Sequence, residues 1–172
     1  FEELRTAAET LGWPLFVKPV RAGSSFGVSR VEELAQLAPA VEAAFRHDGE
    51  ILLEEAIPGF EVGCAVLGNR ELTVGAVDEV ELSRGFFNYT EKYTLQTSAI
   101  HCPARIAPQK ALGCRGFARV DLFLTPWGEI VFNEVNTIPG FTPHSRYPAM
   151  MRAAGIPFRE LVSRLIQLGA EL

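Results

Sequence analysis

Cysteine is scarce. Cys64, Cys102 and Cys114 are the only three in 172 residues, and without C-x-x-C spacing they exclude both a disulfide framework and a cysteine zinc site. They read as reduced, mostly buried thiols. Basic runs are missing too: 16 Lys and Arg against 21 Asp and Glu leave a net charge of −5, which speaks against nucleic acid as a partner. No stretch reaches the roughly 18 to 20 unbroken apolar residues of a membrane span, and no charged start with an apolar core marks a signal peptide. No membrane association and a cytoplasmic location are the expectations. Internal repeats, low-complexity segments and the Walker A pattern G-x-x-x-x-G-K-[ST] are absent as well. What remains is a chain 48% hydrophobic, enough for one large domain or two small lobes around a shared core. It starts at Phe1 in what reads as mid-helix and is expected to be the visible part of something longer.

The stretch "FEELRTAAETLG" sets Leu4, Ala7, Ala8 and Leu11 on one helical face, with Gly12 suited to the C-terminal cap. "PLFVKP" predicts a short strand, and "VRAGSSFGVS" a loop of small residues. Ser29 and Glu32 match a capping box before the helical stretch "VEELAQLAPAVEAAFRH", which Pro39 is expected to divide. "EILLEEAI", "FEVGCAVLG" and "ELTVGAVDEVEL" predict a run of antiparallel strands, the last two joined at Gly68-Asn69. "SRGFFNYTEKYTLQTS", polar and aromatic at once, is long for a plain connection. "GFARVDLFLT" and "GEIVFNEVN" form a hairpin through "PWG", and "PAMMRAAG" and "FRELVSRLIQLG" close the chain as helices. The order of elements predicts an α+β fold.

In the strand "EIVFNEVN", Glu134 and Asn136 are two apart and share a face; in its hairpin partner Arg119 and Asp121 do the same. Hairpin pairing sets Asp121 beside Glu134. Two carboxylates, an amide oxygen and an Arg make an oxygen-rich patch for Mg²⁺ held on phosphates. The alternative is an exposed hairpin face on which Arg119 merely pairs with Asp121. Strands apolar on both faces are expected to be covered, which favours the metal, because charges are rarely buried without partners. Pro139-Gly140 lets the chain turn and offer an N–H to a developing oxyanion, or is simply a turn. Lys18, ending an apolar strand, is either a phosphate ligand or a surface lysine with a packed stem. "GSSFG" has the backbone N–H groups and hydroxyls to cover phosphates, or is an ordinary flexible turn.

Taken together, "LFVKP", "GSSFGV", "LLEEAIPGFEVGCAVLG", "EKY", "GFARVD", "NEVNTIPGFTPHSRYP" and "GIPFRELVSRLI" resemble the ATP-grasp part of the D-alanine:D-alanine ligases and the related vancomycin-resistance ligases. The resemblance implies two lobes of antiparallel-rich sheet with packed helices and ATP between them: residues 1–56 as a partial central lobe, and 57–172 as the C-terminal lobe with a lid loop at 83–98. It assigns Lys18 to the ATP phosphates, with Ser24, Ser25 and Gly27 in the covering loop. Glu54, Glu55 and Ile57 surround the adenine, and Glu61 takes the ribose. Asp121, Glu134 and Asn136 hold two Mg²⁺ ions, for which Mn²⁺ can substitute. Arg119 and the Gly140 N–H stabilise the tetrahedral intermediate, and Ser145 binds the carboxylate of the second substrate. Lys92 and Tyr93 belong to the lid, Lys92 near the γ-phosphate and Tyr93 bonded toward Ser24.

The implied reaction is ATP-dependent joining of two D-amino acids through an acyl phosphate, in peptidoglycan precursor synthesis. A His in place of Tyr93 marks the ester-forming resistance ligases, so D-Ala-D-Ala or D-Ala-D-Ser is the expected product. The family's N-terminal domain, which binds the first D-alanine, would lie before Phe1, and a helix usual before "ALGCRGFARVD" is reduced to "QK". A homodimer is expected from the resemblance. Two other classes remain: a nucleotide-binding module without ligase activity, and an acid-rich Ca²⁺-binding domain.

Overall fold

The computed structural model describes residues 1–82, 98–105 and 116–171. The lid expectation at 83–98 falls, but for Ser98, outside these residues, as do Lys92, Tyr93, Cys114 and the "QK" segment. Two compact units emerge, one containing Phe1–Ile57 and the other Pro58–Glu81 with Ala99–Leu172.

The first unit opens with helix α1 (Glu2–Leu11). Gly12 ends it at φ 84°, a left-handed value that favours glycine, and its N–H donates to the Ala8 carbonyl at 3.0 Å. Only Ala8 is fully buried; Ala7 and Leu11, expected on the same apolar face, are exposed. Strands β1 (Leu15–Pro19), β2 (Ser29–Val31) and β3 (Ile51–Glu55) form an antiparallel sheet in the order β2-β1-β3. In β1, Leu15, Val17 and Pro19 are buried while Phe16 and Lys18 lie on the alternate, half-buried face. Helix α2 (Leu37–Phe45) covers the buried face, with Leu37, Ala40, Val41 and Ala44 packed in one core with Leu15, Val17 and Val31.

Two local expectations are corrected here. Ser29 lies in strand β2 and caps no helix; the strand pairing Val17↔Ser29 claims the backbone that a cap would need. The helical stretch breaks at a 3₁₀ turn (Leu34–Gln36) ahead of Pro39, which then sits in the first turn of α2, where a missing N–H costs nothing.

The second unit is built on a sheet of β4 (Phe60–Gly68), β5 (Thr73–Leu82), β6 (Ser98–His101), β7 (Gly116–Leu124) and β8 (Ile130–Asn136), in the order β6-β5-β4-β7-β8. The predicted run of strands is therefore divided: β3 pairs in the first unit, β4 and β5 in the second. Strands β2 and β6, each too short to show a period, are not expected from the sequence, which places Val31 of β2 at the start of the helical stretch. The β7–β8 turn closes with Thr125 N–H donating to the Glu129 carbonyl at 2.9 Å and Gly128 N–H to that of Thr125 at 3.0 Å.

Alternation gives this sheet two apolar faces. Val62, Cys64, Val66, Val77 and Val120 form one. On the other, Ala65 and Leu67 pack beneath helices α3 (Arg146–Ala153) and α4 (Phe158–Ala170) through Tyr147, Met150, Met151 and Leu161. The Tyr147 hydroxyl donates to the Val66 carbonyl at 3.0 Å, tying α3 to β4. No helix among the described residues is long and apolar enough to cross a membrane.

Candidate functional site

Strand register assembles a row of charge across the second sheet. Asp78 of β5 faces Gly63 of β4, Gly63 faces Asp121 of β7, and Asp121 faces Glu134 of β8. In the next rung Ala65 faces Arg119, and Arg119 faces Asn136. Direct partners share a face, with Cβ atoms roughly 5 Å apart. The expected neighbours Arg119, Asp121, Glu134 and Asn136 are thus brought together on the face that α3 and α4 cover further along. The register slips between Asp121 and Leu122, leaving Asn133 without a Cα partner, a bulge beside the acids.

Coverage is uneven. Asp121 is 1% exposed, whereas Glu134 lies exposed on β8, the outer strand of the sheet. The expectation that both faces of both strands are covered is corrected accordingly, because the helices pack over Ala65, Leu67 and Phe117 and leave Phe132 and Glu134 of β8 exposed. Arg119 chelates Asp121: Nε donates to Oδ1 at 2.7 Å and to Oδ2 at 3.0 Å, and Nη2 to Oδ2 at 2.8 Å.

Arg146 was not singled out by sequence reasoning, and neither was Asp78. From the first turn of α3, Arg146 reaches Asp78 through two bonds of 2.7 Å, Nε to Oδ2 and Nη2 to Oδ1. Its Nη1 donates to Glu61 Oε1 at 2.7 Å, and Nη2 stands 3.8 Å from Asp121 Oδ1. Burial works to lower the Arg146 pKa, but the bonds to Asp78 and the charges of Asp78, Glu61 and Asp121 outweigh it and hold the group above its ordinary value. The signal was present: an Asp inside the apolar run "AVDEVEL" calls for a buried cation. Burial, joined by the Asp78 charge, pushes the thiols of Cys64 and Cys102 up to about 11, which makes them inert at neutral pH.

The loop after β8 brings Gly140 and Ser145 together. A Cβ at Gly140 would lie 3.1 Å from Ser145 Oγ. That oxygen accepts from Thr142 N–H at 3.0 Å and lies 2.9 Å from Thr142 Oγ1, so Ser145 shapes the loop just before α3 begins.

In the first unit, Lys18 pairs with Glu54 on one face of the sheet and stands 5.8 Å from the centre of the Phe16 ring. Glu55 occupies the alternate position of β3 opposite Leu15 and is exposed; it is not brought to Lys18. Ile57 follows β3 in the connector. Ser24 and Ser25 hold φ of 56° and 58°, left-handed values uncommon for residues other than glycine. Their loop is pinned at both ends: Arg21 N–H and Nη2 donate to Asp48 at 2.7 and 2.8 Å, and a Cβ on Gly27 would meet the His47 ring at 2.5 Å. Such strain persists only where the surroundings over-determine it, and it is common at ligand loops.

Hard oxygen donors suit a divalent ion on phosphates. Among the described residues no three His, Cys, Asp or Glu side chains cluster to hold a metal by themselves, so amide and phosphate oxygens would complete the shell. Asp121, Glu134 and Asn136 fit that partial role. An apolar cavity of about 220 Å³, lined by Asn69, Gly116, Phe117, Leu165, Leu168 and Gly169, contains none of the expected site residues.

Two units built on antiparallel sheets, the second with an acid-and-amide row on the face that also carries the helices, define a protein of the ATP-grasp class. Residues 2–167 match the family model described as D-ala D-ala ligase C-terminus, and the chain belongs to that family. It is 50% identical to the vancomycin B-type resistance protein VanB of Enterococcus faecalis, over 95% of this chain and 53% of that protein. It is 45% identical to D-alanine–D-alanine ligase A of Chromobacterium violaceum, over 98% of this chain and 50% of that one. Among solved structures, the VanG D-Ala:D-Ser ligase from Enterococcus faecalis superposes with a TM-score of 0.85 at 58% identity, covering 97% of this chain and 53% of its own. The chain spans about half the length of the curated relatives it matches.

Proposed function

We propose that the protein carrying this chain is an ATP-dependent ligase that joins D-alanine to a second D-amino acid through an acyl phosphate, for peptidoglycan precursors. The observation that carries this reading is the pairing of Asp121 with Glu134 and of Arg119 with Asn136 on one face of a hairpin, in a chain of the D-Ala-D-Ala ligase family. Asp121, Glu134 and Asn136 would hold divalent metal, two ions, for the phosphates of ATP. A bound ion neutralises phosphate charge, which phosphoryl transfer requires more than any covalent help.

The remaining roles belong to the chain's own groups. Lys18 exchanges Glu54 for phosphate oxygens as its counter-charge, and the strained loop of Ser24, Ser25 and Gly27 presents backbone N–H groups to the same anion. Arg119 and the Gly140 N–H face the oxyanion of the tetrahedral intermediate. Ser145 Oγ binds the carboxylate of the second substrate. Glu54, Glu55 and Ile57 line the base, and Glu61 meets the ribose through the oxygen that Arg146 does not hold. Lys92 and Tyr93 complete the lid.

The test is ADP release by the intact protein given ATP, Mg²⁺ and D-alanine. Release no greater than that of an Asp121→Ala control removes the ligase reading. Identity of 58% to a D-Ala:D-Ser ligase favours D-serine as the second substrate. Competition between D-alanine and D-serine, read by product mass, decides it.

A further inference from the structure

We propose that Asp78 is a positioning residue that keeps Arg146 off Asp121 and so keeps the Asp121 carboxylate open to a divalent ion; this rests on reading Asp121 as a metal ligand. The geometry is a competition for one guanidinium. Arg146 is 11% exposed and delivered onto the sheet by the first turn of α3, directly over Gly63, where a Cβ would come within 2.6 Å of Nη2. Asp78, fully buried, takes both edge donors at 2.7 Å, and Glu61 takes the third. Asp121 is left at 3.8 Å, beyond a hydrogen bond.

The side chain of Asp121 is already gripped three times by Arg119. A second guanidinium in contact would add a further positive charge beside the metal position and occupy lone pairs that a metal needs. Asp78→Asn takes from the buried guanidinium its main counter-charge and one of its two acceptors there, and the nearest further carboxylate oxygen is Asp121 Oδ1, 3.8 Å from Nη2. Relief of that deficit is worth more than the short movement costs. The absent side chain at Gly63 leaves the path clear. The row Asp78–Gly63–Asp121–Glu134 therefore works as a divided set of acids. One end holds the cation that anchors α3, and the other is kept for a mobile ion.

The experiment is Mn²⁺ titration of the intact protein by electron paramagnetic resonance, with a non-hydrolysable ATP analogue present. Asp78→Asn is expected to weaken Mn²⁺ roughly tenfold, the lower end of what loss of an outer-shell partner costs a metal site. Asp78→Glu, which keeps the charge, should retain affinity. The double variant Asp78→Asn with Arg146→Met should restore it, because no guanidinium is left to capture Asp121. The double variant also replaces a buried ion pair by neutral groups, so it provides the measurement if the single variant does not fold. Unchanged affinity in a folded Asp78→Asn, or weakened affinity in the double variant, overturns the proposal, since a merely structural Asp78 would change melting and not Mn²⁺ binding. Asp121→Asn separates the two levels. If it keeps wild-type Mn²⁺ affinity, the metal reading falls and takes this one with it; if it loses Mn²⁺ while Asp78→Asn does not, only this one falls.

Discussion

At Gly63 the strand carries no side chain, and Asp78, Arg146 and Asp121 converge above it. A Cβ there would stand 2.5 Å from Asp78 Oδ1 and 2.6 Å from Arg146 Nη2, so Gly63→Ala has to push a buried ion pair apart. Overpacking of this kind costs about 1–3 kcal/mol, which urea denaturation at pH 7 will show as a lower midpoint with unchanged slope. Arg119 and Lys18 part company at the same scale. On the proposed reading Arg119 faces the reacting centre, so Arg119→Ala should lower kcat by roughly 10² to 10³ with little change in ATP affinity. Lys18→Ala should instead raise the Kd for ATP. Calorimetry with the nucleotide and steady-state kinetics on both variants check this, and equal loss of ATP affinity in the two would deny them separate roles. Arg119 and Asp121 were legible from their i, i+2 spacing alone. Arg146 was not, because its partners lie 68 and 85 residues away.

Helix α3 is the element on which the site leans. Its first turn supplies Arg146, and its next residues, Tyr147, Met150 and Met151, are fully buried over β4 and β5. Met151 Sδ lies 2.9 Å from where a Gly75 Cβ would sit, which is how closely the helix approaches the sheet. Met151→Ala should therefore cost about 2–5 kcal/mol of stability by urea denaturation, and should loosen the Arg146 anchor as it does so. The β7–β8 hairpin was predictable in its two strands and its Gly-containing turn, but not in the bulge between Asp121 and Leu122, without which the turn register would set Asp121 opposite Asn133 and not Glu134. The capping box at Ser29 was not a cap, because cross-strand pairing with Val17 competes for the same backbone and prevails. The helix α3 itself starts at Arg146, two residues before the "PAMMRAAG" segment that announces it, with Pro148 inside its first turn.

For the whole molecule, charge pairing sets the response to acid. The Arg105 hydrogen bond holds the Glu79 carboxyl below its ordinary 4.5 although burial opposes it, and the His101 bond, with the Arg105 charge, does the same for Glu81. A depressed folded pKa contributes stability that is fully present above the unfolded value and is lost as pH falls through the folded one. Stability should thus be flat near neutrality and decline below about pH 4.5, the ordinary carboxyl value. Urea denaturation of Glu79→Gln across pH 3 to 7 should show a shallower decline, beginning from a lower plateau. Both carboxylates belong to β5, so the loss will be felt in the second unit.

Local rules act over a few residues, and within that reach the chain by itself determined its α+β class, the two strands and turn of the β7–β8 hairpin, the strand-borne Lys18, and the sharing of a face by Arg119 with Asp121 and by Glu134 with Asn136. Tertiary structure alone decided that β3 and β4 part into different sheets and that α3 lowers an arginine onto the acids. The reason is physical. Strand pairing and the neutralisation of a buried carboxylate are satisfied by whichever partner the fold brings near, and sequence distance carries no information about that partner.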